Sequence, residues 1–261
     1  MSESSILFEI KDSVGKITLN RPSAFNSINR EMALSLQAKL DECEKNEAVK
    51  AIYITGNGKA FCAGQDLKEV TDTSLNPGFD VILEEHYNPL VRRLRNIPKP
   101  IVAAINGVAA GAGANIALAC DIVVAKESSS FLQAFSKIGL IPDSGGTYTL
   151  PRLIGFQKAS ALIMLADNIK AEEAERLGMI YKFFKDEEFE EASWKIAAKL
   201  AKMPTKAMAH IKHTLNHSLN NTLEQQLALE KEYQLKSFAT EDYEEGVAAF
   251  LEKRKPVFKG K

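Results

Sequence analysis

Apolar and polar positions along the chain follow two periods. Near-alternation marks "ILFEI" and "VGKITL" as short strands joined by a turn at "KDS". Over residues 27–46 the apolar positions Ile28, Met32, Leu36 and Leu40 recur at helical spacing. "KAIYITG" then reads as a buried strand running into a Gly/Asn loop, and the polar stretch "TDTSLNPGF" leads to a helix expected at 79–96. "PIVAAINGV" predicts another strand, "AGANIALAC" a helix and "DIVVA" a strand. Strand and helix alternating at this spacing predict an α/β fold with a mostly parallel sheet. After residue 150 the pattern turns helical, from "FQKASALIMLADN" to "TEDYEEGVAAFLEKR". The expected organisation is an α/β core over residues 1–195 and a helical region over 196–261, with no internal repeat in the sequence.

Composition narrows the classes. Of 261 residues, 45% are hydrophobic, and 33 basic side chains face 34 acidic ones, giving a net charge of −1. That balance supplies no general attraction to nucleic acid or to an anionic membrane, so neither is expected as a partner. The longest apolar stretch, "IVAAINGVAAGAGANIALAC", is interrupted by Gly and Asn and reads as strand, loop and helix rather than a membrane span. Cys43, Cys62 and Cys120 form no CxxC pair, and "MSESSILFEIKD" lacks the basic and apolar regions of a signal peptide. The tail "VFKGK" is not a peroxisomal address, so a cytoplasmic location is expected.

Three stretches carry candidate chemistry. In "NGVAAGAGANIALACD" small residues at a strand-to-helix junction admit either a ligand or close helix–sheet packing, and Ile116 breaks a dinucleotide fingerprint. In "GNGKAFCAGQDLKEV" a second such loop places Asp66 to cap a helix whose first turn holds Glu69. Two loops of this kind suggest paired backbone N–H groups converging on one oxygen. The third stretch, "GLIPDSGGT", sets Asp143 among apolar neighbours as a turn residue, a helix cap or a base. His210, His213 and His217 share a helix face, but without interleaved carboxylates they predict a solvated face and no metal site. His86 stands alone, and no GxSxG elbow is present.

Together these blocks resemble the crotonase (enoyl-CoA hydratase/isomerase) superfamily across essentially the whole chain, through "ITLNRPSAFNSIN", "FCAGQDLKEV", "GLIPDSGGTYTLPRLIG", "AEEAERLGMIYK" and "AFLEKRKPVF". The resemblance implies a spiral of ββα units with a C-terminal helical trimerisation region, assembled as a homotrimer or a dimer of trimers. It implies an acyl-CoA thioester substrate and no separate cofactor, coenzyme A being part of the substrate. The family oxyanion hole maps to the backbone N–H groups of Gln65 and Ala112. Substrate and CoA contacts map to Ala24, Ala63, Gln65, Asp66, Leu67, Asn115 and Phe135, with Phe250 and Lys253 on a helix that closes the CoA site, often from a neighbouring subunit.

The departure from the family pattern is informative. Hydratases of the family carry two glutamates, at positions occupied here by Asn115 and Phe135. Adding water to an enoyl thioester is suited to paired carboxylates, and that pair is missing. "LIPDSGGT" instead resembles the isomerase branch acting on a ring-epoxide acyl-CoA in phenylacetate degradation, where the aspartate is the acid/base. Asp143 is accordingly the expected proton carrier, with a raised pKa, and Asn115 a polar positioning group. The alternatives are a fatty enoyl-CoA hydratase and an RNA-binding or noncatalytic protein of the same fold.

Overall fold

The computed structural model describes residues 4–261. β1 (Ile6–Lys11) and β2 (Val14–Leu19) form a hairpin in which Lys11 pairs with Val14. Its two loop residues, Asp12 and Ser13, have φ of 51° and 60°, the left-handed pair that matches strand twist. α1 (Arg30–Lys45) begins where the Asn29 side chain accepts from the Met32 N–H. The helix therefore starts later than its apolar spacing predicts. Ile28 is buried ahead of it, in a parallel bridge to Gln65.

Three windings follow. The first comprises β3 (Ala51–Gly56), β4 (Ala60–Cys62) and α2 (Leu67–Thr71). After α3 (Phe79–Val81) and α4 (Asn88–Asn96), the second comprises β5 (Ile101–Ile105), β6 (Val108–Ala110) and α5 (Ala112–Leu118). The third comprises β7 (Ile122–Lys126), β8 (Ser130–Leu132), a 3₁₀ turn at Ala134–Ile138 and α6 (Gly146–Ile154). Each winding gives its first strand to one sheet and its second to another. After α7 (Phe156–Leu165), β9 (Asn168–Lys170), α8 (Ala171–Arg176) and β10 (Lys182–Phe184), the sheets have the orders β1-β2-β3-β5-β7-β10 and β4-β6-β8-β9. Among the described residues only the β1–β2 and β8–β9 pairs are antiparallel. This is the ββα spiral that the resemblance implies. The repeat is one of topology.

The central parallel strands β3, β5 and β7 are largely buried on both faces, as their continuous apolar runs require. Ile101, Ala103 and Ile105 of β5 face the larger core with α1 and α4, whereas Val102 and Ala104 face a second core. The second core is closed by Phe189 and Ala197 of α9 (Phe189–Leu200), with Trp194 packed against it. Residue 195, the expected boundary of the core, thus lies within a helix seated on the sheet.

The helix expected at 79–96 is interrupted by a π-helical segment, Ile82–Tyr87, between α3 and α4. Pro89 has no N–H to offer the Glu85 carbonyl, which instead accepts from Gln37 Nε2 at 2.7 Å. The wider turn buries two consecutive residues, His86 and Tyr87, at 0% and 1% exposure.

Beyond the sheets lie α10 (Thr205–Ser218), α11 (Leu223–Phe238) and α12 (Glu241–Leu251). Buried Lys212 of α10 pairs with Asp121 at 2.9 Å and donates to the Leu94 carbonyl at 2.7 Å, tying the arm to the core. His210 and His213 pack against the Tyr233 ring of α11, so this face joins two helices instead of facing only solvent. No helix among the described residues is long and apolar enough to cross a membrane.

Candidate active site

The loop after β4 is fixed from both sides. Ile28 N–H donates to the Gly64 carbonyl and Asp66 N–H to the Ile28 carbonyl, while Ala63 N–H donates to Phe25 in the turn that holds Ala24. Asp66 caps α2 as expected, accepting from Lys68 N–H, and pairs with Arg21 at 2.7 Å. Gly64 has a φ of +93°, and a methyl added there would lie 3.0 Å from the Ala110 carbonyl oxygen and 3.4 Å from the Ala112 nitrogen. Glycine is what lets the two strand-to-helix loops touch. Ala112 opens α5, where the first N–H groups have no intrahelical acceptor. Among the described residues neither the Gln65 nor the Ala112 N–H is taken by a protein acceptor. Phe135 is buried, with its ring against Gly111, the residue before Ala112.

Asp143 stands at the head of α6. Ser144 and Gly145 follow it in left-handed conformations, at φ of 51° and 74°. The N-cap of α6 is Gly145, and no side chain caps this helix, which removes the cap role for Asp143. Its carbonyl accepts from Gly146 N–H and from Asn115 Nδ2, each at 2.9 Å. Its carboxylate accepts only a local bond, from the Ser144 hydroxyl at 3.0 Å. Burial disfavours the charged form and pushes the carboxyl up to about 6, against the smaller lowering effect of the Ser144 hydroxyl.

Asn115 has no exposed surface. Nδ2 holds the Asp143 carbonyl, and Oδ1 accepts from Gln133 Nε2 at 2.8 Å. A methyl on Gly146 would come within 2.3 Å of Asn115 Nδ2, so α6 closes directly onto this amide. Nδ2 on the Asp143 carbonyl and Oδ1 on Gln133 give Asn115 the contacts of a positioning group. Phe250, 82% exposed, and Lys253 lie on and just after α12, which packs on α11. Leu67 is exposed at the start of α2.

Sequence reasoning missed Tyr87. Its hydroxyl donates to Gln65 Oε1 at 2.6 Å, and burial, followed by the negative charge of Asp143, holds its phenol well above the ordinary range. It also passed over His86, which lies beside Arg30 Nη1 at 3.1 Å and is held below its usual range chiefly by burial. The only signal for either was Pro89 inside a helical pattern, which marks a break without saying what the break turns inward.

The two strand-to-helix loops thus leave two backbone N–H groups without a protein acceptor among the described residues, and a carboxyl raised to about 6 lies just before α6. The sequence matches the family described as Enoyl-CoA hydratase/isomerase over residues 9–261. It is 45% identical over 258 residues to the 1,2-epoxyphenylacetyl-CoA isomerase of Escherichia coli, covering 98% of each chain. A "Probable enoyl-CoA hydratase" of Rhodobacter capsulatus is 44% identical over 261 residues, covering 100% of both. The crystal structure of enoyl-CoA hydratase from Bacillus anthracis superposes with a TM-score of 0.91 at 33% identity, covering 98% of this chain and 100% of that one. The chain belongs to the enoyl-CoA hydratase/isomerase family, and it is an enzyme of that family.

Proposed function

We propose that this enzyme is an acyl-CoA isomerase in which Asp143 is the sole proton carrier. The observation that carries this reading is the state of that carboxyl. It is raised to about 6, free of any capping duty, and supported through its own backbone by Asn115. The thioester oxygen is held by the Gln65 and Ala112 N–H groups. Asp143 takes the α-proton, the C–H electron pair moves into a dienolate with its charge on that oxygen, and the amides stabilise it there. Asp143 then returns the proton at the γ-carbon, so a 3-enoyl thioester becomes a 2-enoyl one without gain or loss of atoms.

A carboxyl near 6 is mostly ionised at neutral pH yet returns its proton readily. The positions where family hydratases hold glutamates are occupied by a buried amide and a buried ring, neither of which can activate water. The name of the Escherichia coli relative favours a ring-epoxide acyl-CoA as substrate, again a net isomerisation. Exposed Leu219, Leu223, Leu235 and Phe238 on and around α11 support assembly as a homotrimer or dimer of trimers, which would bring Phe250 and Lys253 to a neighbour's CoA site. A cytoplasmic location fits this reading.

The test offers the purified enzyme 3-hexenoyl-CoA, crotonyl-CoA and ring-1,2-epoxyphenylacetyl-CoA in parallel. Isomerisation of the first or third, with hydration of crotonyl-CoA at least a hundredfold slower, is expected. Efficient hydration would transfer the assignment to the hydratases.

A further inference from the structure

A purely backbone oxyanion hole leaves the side chain of Gln65 without a task, yet it is fully engaged. Oε1 accepts from Tyr87 Oη at 2.6 Å, and Nε2 donates to Glu69 Oε2 at 2.8 Å. Glu69 accepts in turn from the Arg30 N–H at 2.7 Å, at the start of α1. Glu69 and Tyr87 are buried. The orientation of the Gln65 amide is fixed, because a carboxylate only accepts: turning the amide over would set two oxygens against each other. Tyr87 stands at the end of the π-helical segment, buried beside His86.

We infer that Tyr87 and the Gln65 side chain are positioning residues for the oxyanion amide. Residue 65 is clamped on its backbone side by the bridge to Ile28 and on its side-chain side by the Tyr87–Gln65–Glu69 chain. With both clamps closed, the Gln65 N–H is aimed before substrate arrives. Released on one side, it has to be oriented during the reaction, and a misplacement of about 1 Å lowers rate by about a hundredfold. This inference rests on the enolate reading above and adds to it what holds the first donor still.

The experiment compares the wild type with Tyr87→Phe, which removes one oxygen and keeps the buried ring, and with Gln65→Met, which keeps length and removes both bonds. Steady-state isomerisation of 3-hexenoyl-CoA is measured together with the infrared carbonyl band of bound butyryl-CoA carrying carbon-13 at the thioester carbonyl. Both variants should lose about 10- to 100-fold in kcat with KM within about threefold, and the carbonyl band should move back toward its position in water. Unchanged kcat and an unchanged band in folded variants would overturn the inference. So would a rise in KM alone, which would make Gln65 a binding residue. Should Tyr87→Phe fail to fold, Gln65→Met, at a partly exposed position, gives the same readouts. A wild type that shifts the band without isomerising would sink the functional reading and leave this inference to the band alone.

Discussion

Replacing Asp143 with asparagine keeps the shape of the side chain and removes its charge and its proton. Two consequences follow, in opposite directions. Turnover of a 3-enoyl-CoA should fall by about 10²–10⁴-fold, the range that general acid–base catalysis supplies. Stability should rise. The carboxyl titrates near 3.8 when free and at about 6 in the fold, and at 1.36 kcal/mol per unit that gap bounds the penalty for the buried charge at about 3 kcal/mol. Because Asp143 is partly exposed, about 1–2 kcal/mol is the expected gain.

The sign has a pH signature. A folded value above the unfolded one means that the contribution of this group is fully present below pH 4 and lost as pH rises through about 6. Urea denaturation should therefore find the two proteins about equally stable at acidic pH, with Asp143→Asn pulling ahead between pH 4 and 6 and holding its lead above. Stability matched at every pH would remove the buried-charge argument, and turnover within tenfold of wild type would remove the proton carrier.

Four further outcomes are expected. The kcat/KM of the wild type should climb through an inflection near pH 6, where Asp143 loses its proton, and stopped-assay profiles of wild type and Asp143→Asn should differ in that inflection. Asn115→Glu should lower the denaturation midpoint without creating hydratase activity, since the new carboxylate would face the Asp143 carbonyl and Gly146 leaves it no room; crotonyl-CoA hydration is the check. Ala112→Pro removes one oxyanion N–H and should reduce kcat by about 10²–10³-fold in protein that retains its circular dichroism. Phe250→Ala and Lys253→Ala should raise KM for the CoA thioester several-fold while leaving kcat near wild type, and unchanged CoA affinity in both would exclude them from the site.

What could be read in the sequence depended on whether a signal was local. The strands that became β3, β5 and β7 were plain because burial on both faces demands unbroken apolar runs. The Asp143 loop was conspicuous because a carboxylate between proline and Ser-Gly-Gly is chemically unusual. Helical spacing misplaced Ile28, since an apolar residue just ahead of an N-cap fits the period yet follows an extended path. Tyr87 was hidden for a different reason. Its hydroxyl meets a partner 22 positions earlier, a contact that leaves no mark on hydrophobic periodicity.

The spiral has a consequence for how such enzymes diversify. On the proposed mechanism the first two windings would contribute the main-chain amides of Gln65 and Ala112, and the third the proton-bearing group at Asp143. Charge stabilisation and proton traffic would then be inherited from different laps of one coil. Substitutions in the last lap can redirect the reaction while the anion-holding laps stay untouched, so a change of chemistry need not begin with the loss of the binding pose.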